Sequence, residues 1–373
     1  MAIKALDKGV SIDQEKISIL LYADDIVLIS DTEEELQEML NLVHSWCQHW
    51  KLDIKVVHFR NPAVPLTRYS FCCGPQPLEV TKEYEYLGLV LTEWLDFNVT
   101  VKHLALHANR ALGAIIAKCK VLGGFPYKCF TKLFEYLVLP ILTYATAVWG
   151  YKSHSCINAV FNRACRFYLG VGKYTPNAAI QDDMGWKTPW QNQWSCIFKN
   201  WQRLCNMPDN RLCKRVFLWA DQSRNVKNYA YTVRKFFDSL HLTHLANTDY
   251  VLSRSDIKCL DQAVAVADEE KWLQLINKPE GNKLRTYCLF KNTFETEFYV
   301  QSIMSRQHRS AFAKFRCGVA PLALETGRYN NTPADSRFCT LCNSGSIESE
   351  AHVLLHCDLY KDILNNLLQY HNR

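Results

Sequence analysis

The chain has 373 residues and sets 43 Lys and Arg against 37 Asp and Glu, a formal charge of +6. At 48% hydrophobic and 12% aromatic it holds enough apolar matter for sizeable cores, which excludes a chain disordered by composition. No window offers the roughly eighteen uncharged apolar residues of a membrane span, and the charged start MAIKALDKGVSID lacks the apolar stretch of a signal peptide.

The length predicts two or three domains. The sixteen cysteines are scattered from Cys47 to Cys357. That scatter predicts free, mostly buried thiols in a reducing compartment rather than a disulfide framework. A soluble intracellular protein, nuclear or cytoplasmic, is the expectation, and its mild positive charge suits a nucleic-acid partner.

Residues 17–22 and 26–30 are short β-rich runs flanking Ala23, Asp24 and Asp25, and they read as a hairpin. Residues 31–52 read as an amphipathic helix. Asp31 or Thr32 can cap it, and Glu33, Glu34 and Glu35 sit where the helix dipole favours negative charge. Leu36, Leu40, Val43 and Cys47 form its apolar stripe. Short strands follow at 55–59, 69–73 and 84–92, punctuated by Pro62, Pro65, Gly74, Pro75 and Pro77. From about residue 98 the pattern turns helical. Two long helical segments are split at Gly123, Gly124 and Pro126, and Pro140 predicts a kink or break in the second. Helical patterns continue to residue 300, with breaks near 206–210, 221–228, 252–256 and 278–283. One more helix-like run, 302–322, leads to a Cys/His cluster.

The chemistry concentrates in two places. Burying one unpaired carboxylate is costly and two adjacent ones cost more, so a pair in an apolar hairpin needs a reason. A groove-facing pair can hold a divalent cation that also takes substrate phosphates; an Asp-Asp between strands also reads as a plain turn. The second place is Cys339-x2-Cys342-x9-His352-x4-Cys357. Two thiols from a tight turn, then a His and a Cys from a helix, make a closed tetrahedral Cys₃His set suited to structural zinc. His356 competes with His352 as the nitrogen ligand, and unrelated free cysteines are the plainer reading.

Together, ILLYADDIVLIS, TEEELQEMLNLVHSWCQHWKL, KVVHF and YLGLVLTEWL stand in the order and approximate spacing of a known family. The chain resembles the reverse transcriptases of non-LTR (LINE-like, jockey-type) retrotransposons. KLRTYCLFK and AFAKFRCGVAPLALETGRY resemble the C-terminal region of the same element proteins. The resemblance implies an α+β fold. Residues 1–96 would be a partial polymerase palm with a Tyr22-Ala23-Asp24-Asp25 hairpin, a helix and short antiparallel strands. A helical thumb-like region would follow at 97–180, a helical connector at 181–300, and a C-terminal region with a zinc-knuckle-like module at 301–373.

It further implies that Asp24 and Asp25 bind Mg²⁺ or Mn²⁺, with Tyr22 and Ala23 completing the motif. Tyr86, Leu87 and Gly88 would belong to the strand pair that grips the primer, and Cys339, Cys342, His352 and Cys357 would hold Zn²⁺. The partners would be an RNA template and a DNA primer or target DNA. Lys118, Lys120, Arg163 and Arg166 are candidate phosphate contacts, and solvated helix faces are their plainer reading. Phe161, Phe167 and Tyr168, and Trp149, Trp186, Trp190 and Trp194, read as packing.

Two departures from the family's pattern matter. The chemistry takes a further aspartate from a separate upstream palm strand, but only Asp7, Asp13 and Glu15 precede Tyr22. The link from the helix to KVVHF is also short, by about five residues, for this family. The expectation is an N-terminally truncated polymerase fragment, not competent alone. The alternative is a zinc-dependent RNA- or DNA-binding protein with a vestigial polymerase motif.

Overall fold

Thr32 starts the first helix. In the computed structural model, which describes residues 7–12, 15–223, 228–278, 283–302 and 305–361, its side chain accepts a hydrogen bond from the Glu35 amide at 3.3 Å. Glu33–Trp50 follows, and Lys51 closes it in the left-handed conformation, φ 51°. That sharp closure lets a short link reach the next strand. Met39, Leu40 and Cys47 form the buried face; Met39, three residues past Leu36, was not in the stripe read from the sequence. Leu40 packs with Val56 and Phe71, and Leu28, Ile54, Leu78 and Val80 close around them.

Among the described residues the strands pair only two by two. Val10–Ile12 with Glu15–Ile17, Ile19–Tyr22 with Asp25–Leu28, Cys72–Cys73 with Gln76–Pro77, and Glu83–Tyr86 with Leu89–Thr92 are antiparallel. Val56–Val57 instead runs parallel to Val80–Thr81, which corrects the all-antiparallel expectation. The intervening chain, with a hairpin of its own, returns to the start of Val56–Val57 and re-enters in the same direction.

These strands and the first helix belong to a unit made of Met1–His103, Ala145–Lys152 and Ile197–Asp256. Its later helices, Leu212–Gln222 and Tyr229–Ser239 among them, gather on Trp201. That ring meets Phe217 edge-on at 4.9 Å and Phe237 at 5.7 Å. Arg234 lies over it at 5.9 Å while gripping Asp221 through two bonds of 2.5 and 2.6 Å.

Leu104–Tyr144, Ser153–Cys196 and Ile257–Arg373 make a second unit. Its aromatic core stacks Phe134 on Trp186 at 4.6 Å and Phe130 on Tyr168 at 5.1 Å. Phe161, Tyr168 and Trp186 are buried, in line with the packing roles expected of them. The break expected at Pro140 is present. Phe134–Val138 widens into a π-helical turn, and Leu139–Leu142 begins anew with Pro140 in its first positions. Proline lacks the amide an α-helix needs and its ring clashes with the carbonyl four residues back, and the wider turn relieves both demands.

The same unit buries an ion network. Asp182 and Asp183, on helix Asn177–Met184, are fully buried. The Tyr287 hydroxyl lies within hydrogen-bond distance of both carboxylates, 2.9 Å from Asp183. Tyr299 reaches Asp183 at 2.6 Å, and the Glu295 amide reaches Asp182 at 3.0 Å. Lys291 lies 3.4 Å from Asp182 and 2.7 Å from Glu297. Arg316 lies 3.2 Å from Asp183 and 2.9 Å from Glu297. Burial pushes the Asp183 carboxyl up and the Asp182 carboxyl to about 7.

Candidate catalytic hairpin and metal centre

The Asp pair sits at a hairpin end. Ile19, Leu20, Leu21 and Tyr22 pair with Leu28, Val27, Ile26 and Asp25. Ala23 and Asp24 make the two-residue turn, with Ala23 left-handed at φ 52°. Asp24 is exposed and Asp25 half-buried. Adjacent residues within a strand point to opposite faces. Here Asp24 belongs to the turn and Asp25 to the strand, so that alternation does not apply between them.

A second tight hairpin lies nearby in this unit. Leu87 at φ 49° and Gly88 at φ 74° are both left-handed, the geometry of a type I′ turn between Glu83–Tyr86 and Leu89–Thr92. Tyr86 is half-buried at the end of its strand. Burial first, and then the Asp25 carboxylate, raise its phenol. The fold thus brings Tyr86 within electrostatic reach of Asp25. The Thr100 hydroxyl donates to the Val90 carbonyl at 2.8 Å and ties this hairpin to helix Asn98–Val121.

Cys339, Cys342, His352 and Cys357 converge, with all four donor atoms within 4.8 Å of one another. A tetrahedral zinc with bonds near 2.3 Å to sulfur and 2.0 Å to nitrogen separates its ligand atoms by about 3.5–3.8 Å, so the donor set fits that ion. Cys339, His352 and Cys357 are buried. The Cys339 amide donates to Ser346 at 2.8 Å, beneath a bridge between Phe338 and Ile347. His352–His356 is a π-helical turn closed by a 2.8 Å bond from the Cys357 amide to the His352 carbonyl. In an α-helix residues five apart point about 140° away from each other; the wider turn brings His352 and Cys357 to one side. His356 is exposed and outside the group. The Ser344 hydroxyl and amide, then Cys339 and His352, hold the Cys342 thiol down at about 6, close to the thiolate a metal needs.

Glu348 and Glu350 anchor this module. Glu348 accepts from the Ala323 amide at 2.5 Å. Glu350, 1% exposed, takes Arg285 at 2.7 Å and Thr286 at 3.1 Å. Among the described residues, the Cys/His cluster is the one group of three or more His, Cys, Asp or Glu placed to hold a metal ion, and Asp24 and Asp25 are not in it.

Residues 2–91 match the family model of reverse transcriptase (RNA-dependent DNA polymerase). The matched segment takes in both hairpins and the first helix and ends inside Leu89–Thr92, before the long helices and the Cys/His module. No curated protein matches the chain. Among the described residues no helix is long and apolar enough to cross a membrane.

The four candidate phosphate contacts lie outside the matched residues 2–91. Lys118 and Lys120 are exposed on the last turn of Asn98–Val121. Arg163 is exposed and donates to the Asn109 carbonyl at 3.2 Å. Arg166 is half-buried, and it donates to the Thr175 carbonyl at 3.1 Å and to Asn177 Oδ1. Burial lowers its guanidinium. A row of asparagines and a glutamine next to Arg166 was assigned no role from the sequence. Its signal was Asn158, Asn162 and Arg166 at steps of four on one helix face.

Proposed function

We propose that this chain is part of a non-LTR retrotransposon reverse transcriptase that binds nucleic acid and does not polymerise alone. The observation that carries this is the Asp24–Asp25 pair at the hairpin end, within the matched segment and in reach of Tyr86, with no third acid beside it among the described residues. In this reading Asp24 and Asp25 would hold Mg²⁺ or Mn²⁺, which supplies charge neutralisation for phosphoryl transfer. Tyr86, Leu87 and Gly88 would steady the primer end. Lys118 and Lys120, free of the protein acceptors that engage Arg163 and Arg166, are the better-placed phosphate contacts of the four. Cys339, Cys342, His352 and Cys357 would hold zinc and fix the C-terminal module.

Primer extension on an RNA template with Mg²⁺ or Mn²⁺ tests this, comparing the chain with an Asp24→Asn, Asp25→Asn double variant. The expected result is no extension by either, with RNA still bound. Extension that the double variant loses would show that the chain completes its own active site. A second reading, a zinc-dependent RNA- or DNA-binding protein with a relic hairpin, is favoured by the converged Cys₃His donors. It predicts salt-sensitive RNA or DNA affinity that a chelator abolishes.

A further inference from the structure

Parts of four helices that lie in the second unit meet around a polar cavity of about 430 Å³, within the roughly 300–1,000 Å³ range of small-ligand sites. Asn158 and Asn162 stand one turn apart on Ser155–Leu169 and Gln181 lies on Asn177–Met184. Trp190 opens Pro189–Cys205, and Asp268 and Lys271 stand three apart on Arg254–Ile276. Asn162 is 4% exposed, so its amide is fixed deep in the wall. Gln181 Nε2 donates to Asn162 Oδ1 at 2.7 Å. That bond orients the two amides and leaves the Asn162 nitrogen as a donor and the Gln181 oxygen as an acceptor for a ligand.

The edge of a nucleobase presents donors and acceptors side by side, and Asn and Gln amides are the side chains that read it. An indole such as Trp190 stacks on a base. Lys271, whose ammonium lies 5.9 Å from the Trp190 ring centre, supplies the cation a phosphate needs. Asp268 accepts from the Thr188 hydroxyl at 2.5 Å through Oδ2, and its second oxygen can take a ribose hydroxyl, as acidic residues do in nucleotide sites. An apolar ligand would leave these groups unpaired.

We propose that this cavity binds one ribonucleotide, with the base on the Asn162–Gln181 amides, the ribose on Asp268 and the phosphate at Lys271. The site lies outside residues 2–91 and does not rest on the polymerase reading. The nucleotide can be free or a single unit of an RNA strand, and the two sources share this chemistry.

The full chain is titrated calorimetrically with the four ribonucleoside monophosphates and their deoxy counterparts, and by polarisation with a short single-stranded RNA and the matching DNA. Saturable ribonucleotide or RNA binding is expected, weakened about tenfold or more by Gln181→Ala and by Lys271→Ala. Asp268→Asn should reduce the preference for ribose. Lys271 is exposed, so its variant keeps the fold. Binding of free monophosphates assigns a free nucleotide; binding of RNA alone, with the same sensitivity, assigns a strand. No binding of either, equal binding of the deoxy forms, or affinity unchanged in both alanine variants overturns the proposal. RNA binding that ignores Gln181 and Lys271 overturns this site while leaving the nucleic-acid reading above intact.

Discussion

Replacing Asp182 by asparagine should remove a pH dependence from the stability of the chain. Three acids, Asp182, Asp183 and Glu297, face two cations, Lys291 and Arg316, in one buried network. The Tyr287 hydroxyl has one proton and two carboxylates to satisfy. A proton on Asp182 balances the charge and lets Asp182 donate to the tyrosine oxygen while the tyrosine donates to Asp183. That agrees with an Asp182 carboxyl raised by burial from 3.8 to about 7. The folded chain therefore binds this proton more tightly than the unfolded chain. The stabilisation is complete below about pH 4 and is lost as pH rises through 7. A tenfold difference in proton affinity is worth about 1.4 kcal/mol, so the ceiling is about 4 kcal/mol, of which about 2.5 kcal/mol falls between pH 5 and pH 8. An asparagine at this position does not titrate. Urea unfolding of both proteins at several pH values, with hydrogen exchange along Asn177–Met184 as a local reading, gives the difference curve. Wild type should lose about 2.5 kcal/mol relative to the variant across that range. Parallel curves would refute the shared-proton argument.

Other outcomes follow from the same geometry. The chain should carry one zinc per molecule, and Cys342→Ala should release it and open residues 337–361 to protease; a chain purified without zinc that resists protease equally would contradict this. Glu350→Ala leaves Arg285 and Thr286 without their acceptor and should destabilise the second unit by about 2–3 kcal/mol, read as a lower urea midpoint even with zinc present. Thr32→Ala removes the cap on Glu33–Trp50 and should cost about 1 kcal/mol, a loss that Thr32→Ser largely restores. An unchanged midpoint in the alanine variant would show that the cap bond carries no net stability.

Local signals were readable in the sequence. The Asp hairpin showed as two apolar runs around a polar turn, the first helix as a cap with three glutamates, and the Cys/His cluster as a spacing. The break at Pro140 follows from proline's own covalent structure. What escaped depends on distant residues. Asp182 and Asp183 sit in an ordinary helical pattern, and their meaning comes from tyrosines more than a hundred residues on. The parallel pairing of Val56–Val57 is set by where a later hairpin returns the chain. The polar cavity draws single side chains from four helices, and no one segment of sequence contains more than a fragment of it.

The two units are interleaved along the chain, and this bears on how the protein is made. The first unit holds Met1–His103 but is completed only by Ile197–Asp256. On a ribosome adding about 5–20 residues per second, its opening segment waits about 10–30 s for the partners that cover it. During that interval the two-stranded sheets present open edges, next to Tyr22, Trp50 and Trp94, which stay exposed even in the folded chain. Cellular yield should therefore respond to elongation rate and to chaperones that shield nascent chains. An expression fragment cut after the first hundred residues would keep that vulnerability permanently.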